Sequence, residues 1–218
     1  MTGRLMSPVE HVAALQQALL RLSAEAERID RLGRQLARAL RRGHRMLTVG
    51  NGGSAAQAEH LSAELVGRYV TDRQPISAIP LASDCAALTA ICDELGAAEA
   101  FARQVRAHGR PGDVLVAFSA SGASPNVLQA TRAALRMGLR TVGFTGRMPN
   151  PLATLCCDVV AADAAETATV QEIHQVALHL LCAGIDAELR GGAGARDPDV
   201  PADPAAVQPE LVALERWG

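Results

Sequence analysis

His60 and Glu64 lie four residues apart in the stretch GNGGSAAQAEHLSAELVGRY, residues 50–69. If this stretch is helical, the imidazole and the carboxylate share one face and can bind one metal ion or serve one substrate. A second set sits in VQEIHQVALH: Gln171, Glu172, His174 and His179 interrupt a run otherwise made of Val170, Ile173, Val176, Ala177, Leu180 and Leu181. On a regular helix Gln171 and His179 are about 12 Å apart along the axis and about 80° apart around it. Both reach one point only if the ligand sits between them, the helix bends, or a second subunit contributes. A His, a Glu, a Gln and another His suit proton transfer between adjacent carbons. The carboxylate takes a C–H proton, an imidazole manages hydroxyl protons, and a divalent ion polarises the carbonyl.

Two small, hydroxyl-rich turns supply a complementary feature. GNGGS (50–54) and SASGAS (119–124) each follow a short apolar run and lead into a helical pattern. Unpaired backbone N–H groups and the helix dipole favour an anion at such a turn. The second turn adds hydroxyls at Ser119, Ser121 and Ser124, with Gly122 allowing close backbone approach. GNGGSA formally fits a dinucleotide fingerprint, but no acidic residue ends the next strand at the required distance, and no P-loop occurs.

The elements that must hold these residues follow from periodicity. Apolar residues at helical spacing over residues 8 to 43 (Val12, Leu15, Leu19, Leu22, Ile29, Leu32, Leu36, Leu40) predict one long helix or a pair. Strands are expected at RMLTVGN, ISAIPLA, DVLVAFSASG, RTVGFTG and DVVAADA. Helices are expected at 54–67, CAALTAICDEL, AEAFARQVRAHG, NVLQATRAALRMG and the closing TVQEIHQVALHLLCAGIDAEL. Alternation of this kind implies a parallel sheet of about five strands covered on both faces, an α/β/α sandwich. We expect a helical segment over residues 1–45, the main domain over 46–190, and a Gly-, Pro-, Ala- and Asp-rich disordered tail over 191–218.

Composition narrows the function further. At 218 residues, 49% hydrophobic and 20% charged, the chain can build one well-buried core, and with only 2% aromatic residues that core must be Ala, Leu and Val. A net charge of −2 gives no electrostatic case for nucleic acid. The basic cluster RQLARALRRGHR reads as a solvated helix face. Five cysteines without metal-site spacing read as reduced residues of a cytoplasmic protein, and no run approaches the length of a membrane span.

VGNGGSAAQAEHLSAELVGRY, SASGASPNV and VQEIHQVALH together resemble the sugar-isomerase (SIS) fold, and within it the sedoheptulose 7-phosphate (phosphoheptose) isomerases, from about residue 8 to residue 189. The resemblance implies conversion of sedoheptulose 7-phosphate to D-glycero-D-manno-heptose 7-phosphate by a cytoplasmic homotetramer with active sites between subunits. It implies one Zn2+ per subunit on His60, Glu64, Gln171 and His179, with Glu64 as general base and His179 as its acid/base partner. It implies substrate contacts from Asn51, Gly52, Gly53, Ser54, Arg68, Asp93, Glu94, Ser119, Ala120, Ser121, Ser124 and Gln171. Ala120 and Ala123 depart from the family's S-T-S-G-N-S, Glu94 is one methylene longer than the usual Asp, Thr169 replaces an Arg, and Pro149 and Pro151 replace glycines. These differences leave an isomerase of a related sugar phosphate as one alternative. The other is a non-catalytic regulatory protein similar to the DnaA initiator-associating protein. That protein lacks residues at the positions of Glu64 and His179, and both are present here.

Overall fold

The computed structural model describes residues 6–191. The tail expected at 191–218 lies, apart from Gly191, outside the described residues. The first helix, α1 (Pro8–Arg41), is a single helix of 34 residues and not a pair. Its start is built as the sequence suggests: the Ser7 hydroxyl accepts the Glu10 N–H, the Glu10 carboxylate accepts the Ser7 N–H, and Pro8 opens the first turn. Leu22, Ile29, Leu32 and Leu36 bury one stripe of α1 against the closing helix, α7 (Thr167–Gly191). The two helices meet at two glycines: a Cβ on Gly33 would collide with the Leu181 carbonyl, and one on Gly184 with the Asp30 carbonyl.

Between them lie β1 (Met46–Val49), α2 (Gly53–Val66), β2 (Ala78–Pro80), α3 (Cys85–Leu95), α4 (Ala102–His108), β3 (Val114–Ser119), α5 (Pro125–Arg136), β4 (Arg140–Thr145), α6 (Pro151–Leu155) and β5 (Asp158–Ala161). The five strands form one all-parallel sheet in the order β2-β1-β3-β4-β5. Side chains alternate across it: Val114, Val116 and Phe118 face the layer of α1, α2 and α7, while Leu115 and Ala117 face that of α4, α5 and α6. This is the expected three-layer sandwich.

Three local features differ from the periodicity. AEAFARQVRAHG breaks into a 3-10 turn (Ala97–Glu99) and the short α4, because Ala100 and Phe101 between them are buried under the sheet's second face. Strand β2 is only three residues long. Helix α6 has five residues, too few to show a period, and is started by Asn150, whose side chain accepts the Ala153 N–H, and by Pro151.

Sheet order decides where function sits. The chain leaves β1 toward one edge of the sheet and leaves β3 toward the other. The loops after β1 and β3 therefore flank a crevice at the carboxyl ends of the strands, where doubly wound sheets bind ligands. These are the two turns singled out above.

Candidate active site

Helix α2 carries His60 and Glu64 on one face, and α7 brings His179 to meet them. His60 Nε2 lies 3.1 Å from Glu64 Oε1 and 3.1 Å from His179 Nε2. The two imidazole centroids are 5.1 Å apart, and the Tyr69 ring packs 5.5 Å from that of His179. One ligand atom from each of His60, Glu64 and His179 lies within 4.8 Å of the others. Partial burial lowers the His179 pKa, and the neighbouring His60 lowers it further while Glu64 opposes both. Two Nε2 atoms at hydrogen-bond distance hold at most one proton between them. Two imidazoles beside a carboxylate are a donor set that fits a divalent cation such as Zn2+.

The polar neighbours of this triad come from both helices. Gln175 Nε2 lies 3.3 Å from His179 Nε2, one turn earlier on α7. The Gln171 side chain instead lies against the first turn of α2, where a Cβ on Gly53 would come within 2.6 Å of its amide. Gln57 of α2 donates to the Gln171 carbonyl. Gln175 was missed in the sequence, although its i, i+4 spacing to His179 is the same signal that drew attention to His60 and Glu64.

The serine turn is held by its own side chains and by β4. Ser119 ends β3 buried, with its Oγ 3.1 Å from Ser124 Oγ, and Ser121 Oγ accepts the Ala123 N–H at 3.2 Å. Gly122 has φ +64°, which the turn requires, and the Asn150 side chain fills the space a Cβ would need. Ser124 is the N-cap of the 12-residue α5 without spending its side chain on a capping bond. The Ala120 carbonyl accepts the Gly146 N–H at 3.1 Å, which fastens the turn to the end of β4. On the other side Asn51 exchanges amide hydrogen bonds with Asn126 of α5, a residue that the motif reading did not single out.

The serine turn thus lies at the switch point of an all-parallel sheet, and the metal-competent triad lies between α2, the helix that starts there, and α7. The SIS-domain profile matches residues 10–146. The chain belongs to the SIS-domain family. Within that family it is 54% identical to a phosphoheptose isomerase of Streptomyces coelicolor over 86% of this chain and 82% of that protein. Its fold matches the structure of a phosphoheptose isomerase from Neisseria gonorrhoeae with TM-score 0.72 at 35% identity, covering 83% of this chain and 100% of that one. A phosphoheptose isomerase from Francisella tularensis matches with TM-score 0.74 at 27% identity, covering 84% of this chain and 100% of that one. By these relationships the chain is a member of the phosphoheptose isomerase branch of the SIS-domain proteins.

The remaining residues that the resemblance pointed to lie further out. Ser54 is buried in the first turn of α2, with its N–H on the Asn51 carbonyl. Arg68 is exposed just past the end of α2, and Asp93 and Glu94 are exposed on α3, a helix with no buried residue. Among the described residues, no hydrogen bond or ion pair links these three to the triad or to the serine turn. No described helix is long and apolar enough to cross a membrane.

Proposed function

We propose that the chain is a ketose–aldose isomerase that converts sedoheptulose 7-phosphate to D-glycero-D-manno-heptose 7-phosphate. The observation that carries this reading is the convergence of His60, Glu64 and His179 donor atoms within 4.8 Å of one another, on helices adjoining the serine turn. The hydroxyls of Ser119, Ser121 and Ser124 and the N-terminus of α5 hold the phosphate. Asn51, Gly52, Gly53 and Ser54 border the sugar from the β1 side, with Ala120 on the β3 side and Gln171 between the two helices. Arg68, Asp93 and Glu94 complete the pocket across a subunit boundary in a cytoplasmic homotetramer. Their exposure in the single chain supports that assignment.

The chemistry is the removal of one proton from C1 and its return to C2. Glu64 takes the C1 proton, which leaves an enediol(ate), and gives a proton back at C2. His179 carries the hydroxyl proton from O1 to O2, so the ketone becomes a hydroxyl as the aldehyde forms. His60, Glu64 and His179 are the residues that would hold Zn2+, Gln171 joining them only if its side chain swings away from Gly53, and a bound divalent ion would supply charge stabilisation for the developing oxyanion.

The test is incubation of purified, zinc-supplemented protein with sedoheptulose 7-phosphate, following aldose formation by NMR. Conversion that disappears in His179→Ala supports the reading. A zinc-loaded wild type that leaves this substrate unchanged overturns the substrate assignment.

A further inference from the structure

Arg73 lies in the loop between α2 and β2, and its side chain is buried. The guanidinium makes an ion pair with Asp186 of α7 at 2.8 Å, with side-chain exposures of 8% and 3%. It also donates to three carbonyls: Glu64 at 2.7 Å, Leu65 at 2.9 Å and Gln74 at 3.2 Å. The first two belong to the last turn of α2, whose C-terminus has no basic residue of its own. Arg73 therefore supplies from outside the donors and the positive charge that a helix C-terminus needs.

This placement matters because of what α2 and α7 carry. Glu64 contributes its carboxylate to the triad and its carbonyl to Arg73. His179 and Asp186 are seven residues apart on α7, so they lie on the same face with about 10 Å between them along the axis. At the other end Gln57 ties α2 to the Gln171 carbonyl. The triad thus sits between two polar ties that span the same pair of helices.

We infer that Arg73 and Asp186 are a positioning pair that sets the separation of α2 and α7 and so brings Glu64 and His60 within reach of His179. Neither residue touches substrate. Their effect passes through the backbone of Glu64 and through the helix that bears His179. A planar fork that serves one carboxylate and three carbonyls at once is work that lysine cannot do. The role rests on the proposed isomerase site, but the pair can be tested apart from turnover.

The decisive variant is Arg73→Met/Asp186→Leu in the full chain, which removes both buried charges together and keeps the volume apolar. The first readout is the ring-to-ring NOE between His60 and His179 in metal-free protein. The second is Zn2+ affinity by chelator competition, and the third is kcat and KM for sedoheptulose 7-phosphate. We expect the NOE to be lost and Zn2+ affinity to fall by about 10- to 100-fold, the range for residues that orient metal ligands. In an active wild type, kcat should fall with KM unchanged. A double variant that folds and keeps the NOE and wild-type Zn2+ affinity overturns the inference, because a merely structural pair would be replaced without loss at the triad. Should the double variant fail to fold, Asp186→Asn keeps the shape and removes the charge. Unchanged NOE and Zn2+ affinity there would overturn the inference equally. A wild type that binds Zn2+ without isomerising this sugar defeats the substrate reading and leaves the NOE and the metal affinity to judge the pair.

Discussion

Asn51 and Asn126 hold each other across the switch point by two reciprocal amide hydrogen bonds of 2.9 and 2.8 Å. Each side chain is both donor and acceptor, so the pairing fixes both amide orientations and ties the loop after β1 to the first turn of α5. Asn126 Oδ1 also accepts the Val127 N–H at 3.0 Å. The two halves of the proposed substrate cradle are therefore one unit.

Asn126→Ala breaks that unit without touching the triad. Each exposed hydrogen bond contributes about 1 kcal/mol, so losing both should raise KM for the phosphorylated sugar by up to roughly 30-fold. Zn2+ affinity should be unchanged. Steady-state kinetics together with chelator competition checks both halves of that statement, and a fall in metal affinity would contradict the division of labour.

Gly122→Ala tests the serine turn through its backbone. The residue has φ +64° and its missing Cβ leaves room for Asn150, which caps α6. A methyl there strains the turn and displaces the cap, a combined cost of about 2 kcal/mol. The denaturation midpoint should drop, and KM should rise more steeply than in Ser121→Ala, which loses one hydroxyl and its bond to the Ala123 N–H but leaves the backbone at Gly122 unstrained. Equal midpoints for Gly122→Ala and wild type would show that the turn tolerates the change.

The sheet and its helical layers were legible because β1, β3 and β4 are short apolar runs closed by glycine or serine, and because the long helices keep their 3.6 period. His60, Glu64 and His179 were legible for a related reason: polar, chemistry-bearing types stand out on faces that otherwise carry Ala and Leu. What the sequence concealed depends on pairing across the fold. Nothing local to Asn126 announces that its amide meets Asn51, 75 residues away. Arg73 and Asp186 look like ordinary surface charges until α2 and α7 come together. The 12 Å offset of Gln171 from His179 was recognised in the sequence, and the structure resolves it in a single chain by putting the Gln171 side chain beside Gly53 and Gln175 beside His179.

His174 gives the fold a dependence on pH. Its ring is buried edge-on to Phe118 and Phe144, and Nε2 lies 3.0 Å from the Thr145 carbonyl. Burial drives its pKa down to about 4. The folded protein thus resists protonation where the unfolded chain, at about 6.5, accepts it. Between those values the unfolded state binds more protons, so this contribution is complete above pH 6.5 and is lost as pH falls toward 4. It amounts to about 3 kcal/mol in total. Denaturant unfolding of wild type and His174→Gln should show their stability difference shrinking or reversing between pH 7 and pH 4.5. A pH-independent difference would mean that the ring is not held neutral.

Zinc itself should stabilise the chain through the triad. A ligand that binds only the folded state at a hundred times its dissociation constant adds about 2.7 kcal/mol. With about 190 described residues, that corresponds to a rise in melting temperature of several degrees. Wild type treated with a chelator should melt lower by this amount and recover with Zn2+. His60→Ala removes the ligand 3.1 Å from both Glu64 and His179, so it should melt at the same temperature with and without the metal. Mg2+, which demands oxygen ligands, should shift neither protein, because two imidazoles and one carboxylate match the softer ion. A Zn2+-dependent shift that survives in His60→Ala would move the metal away from this triad.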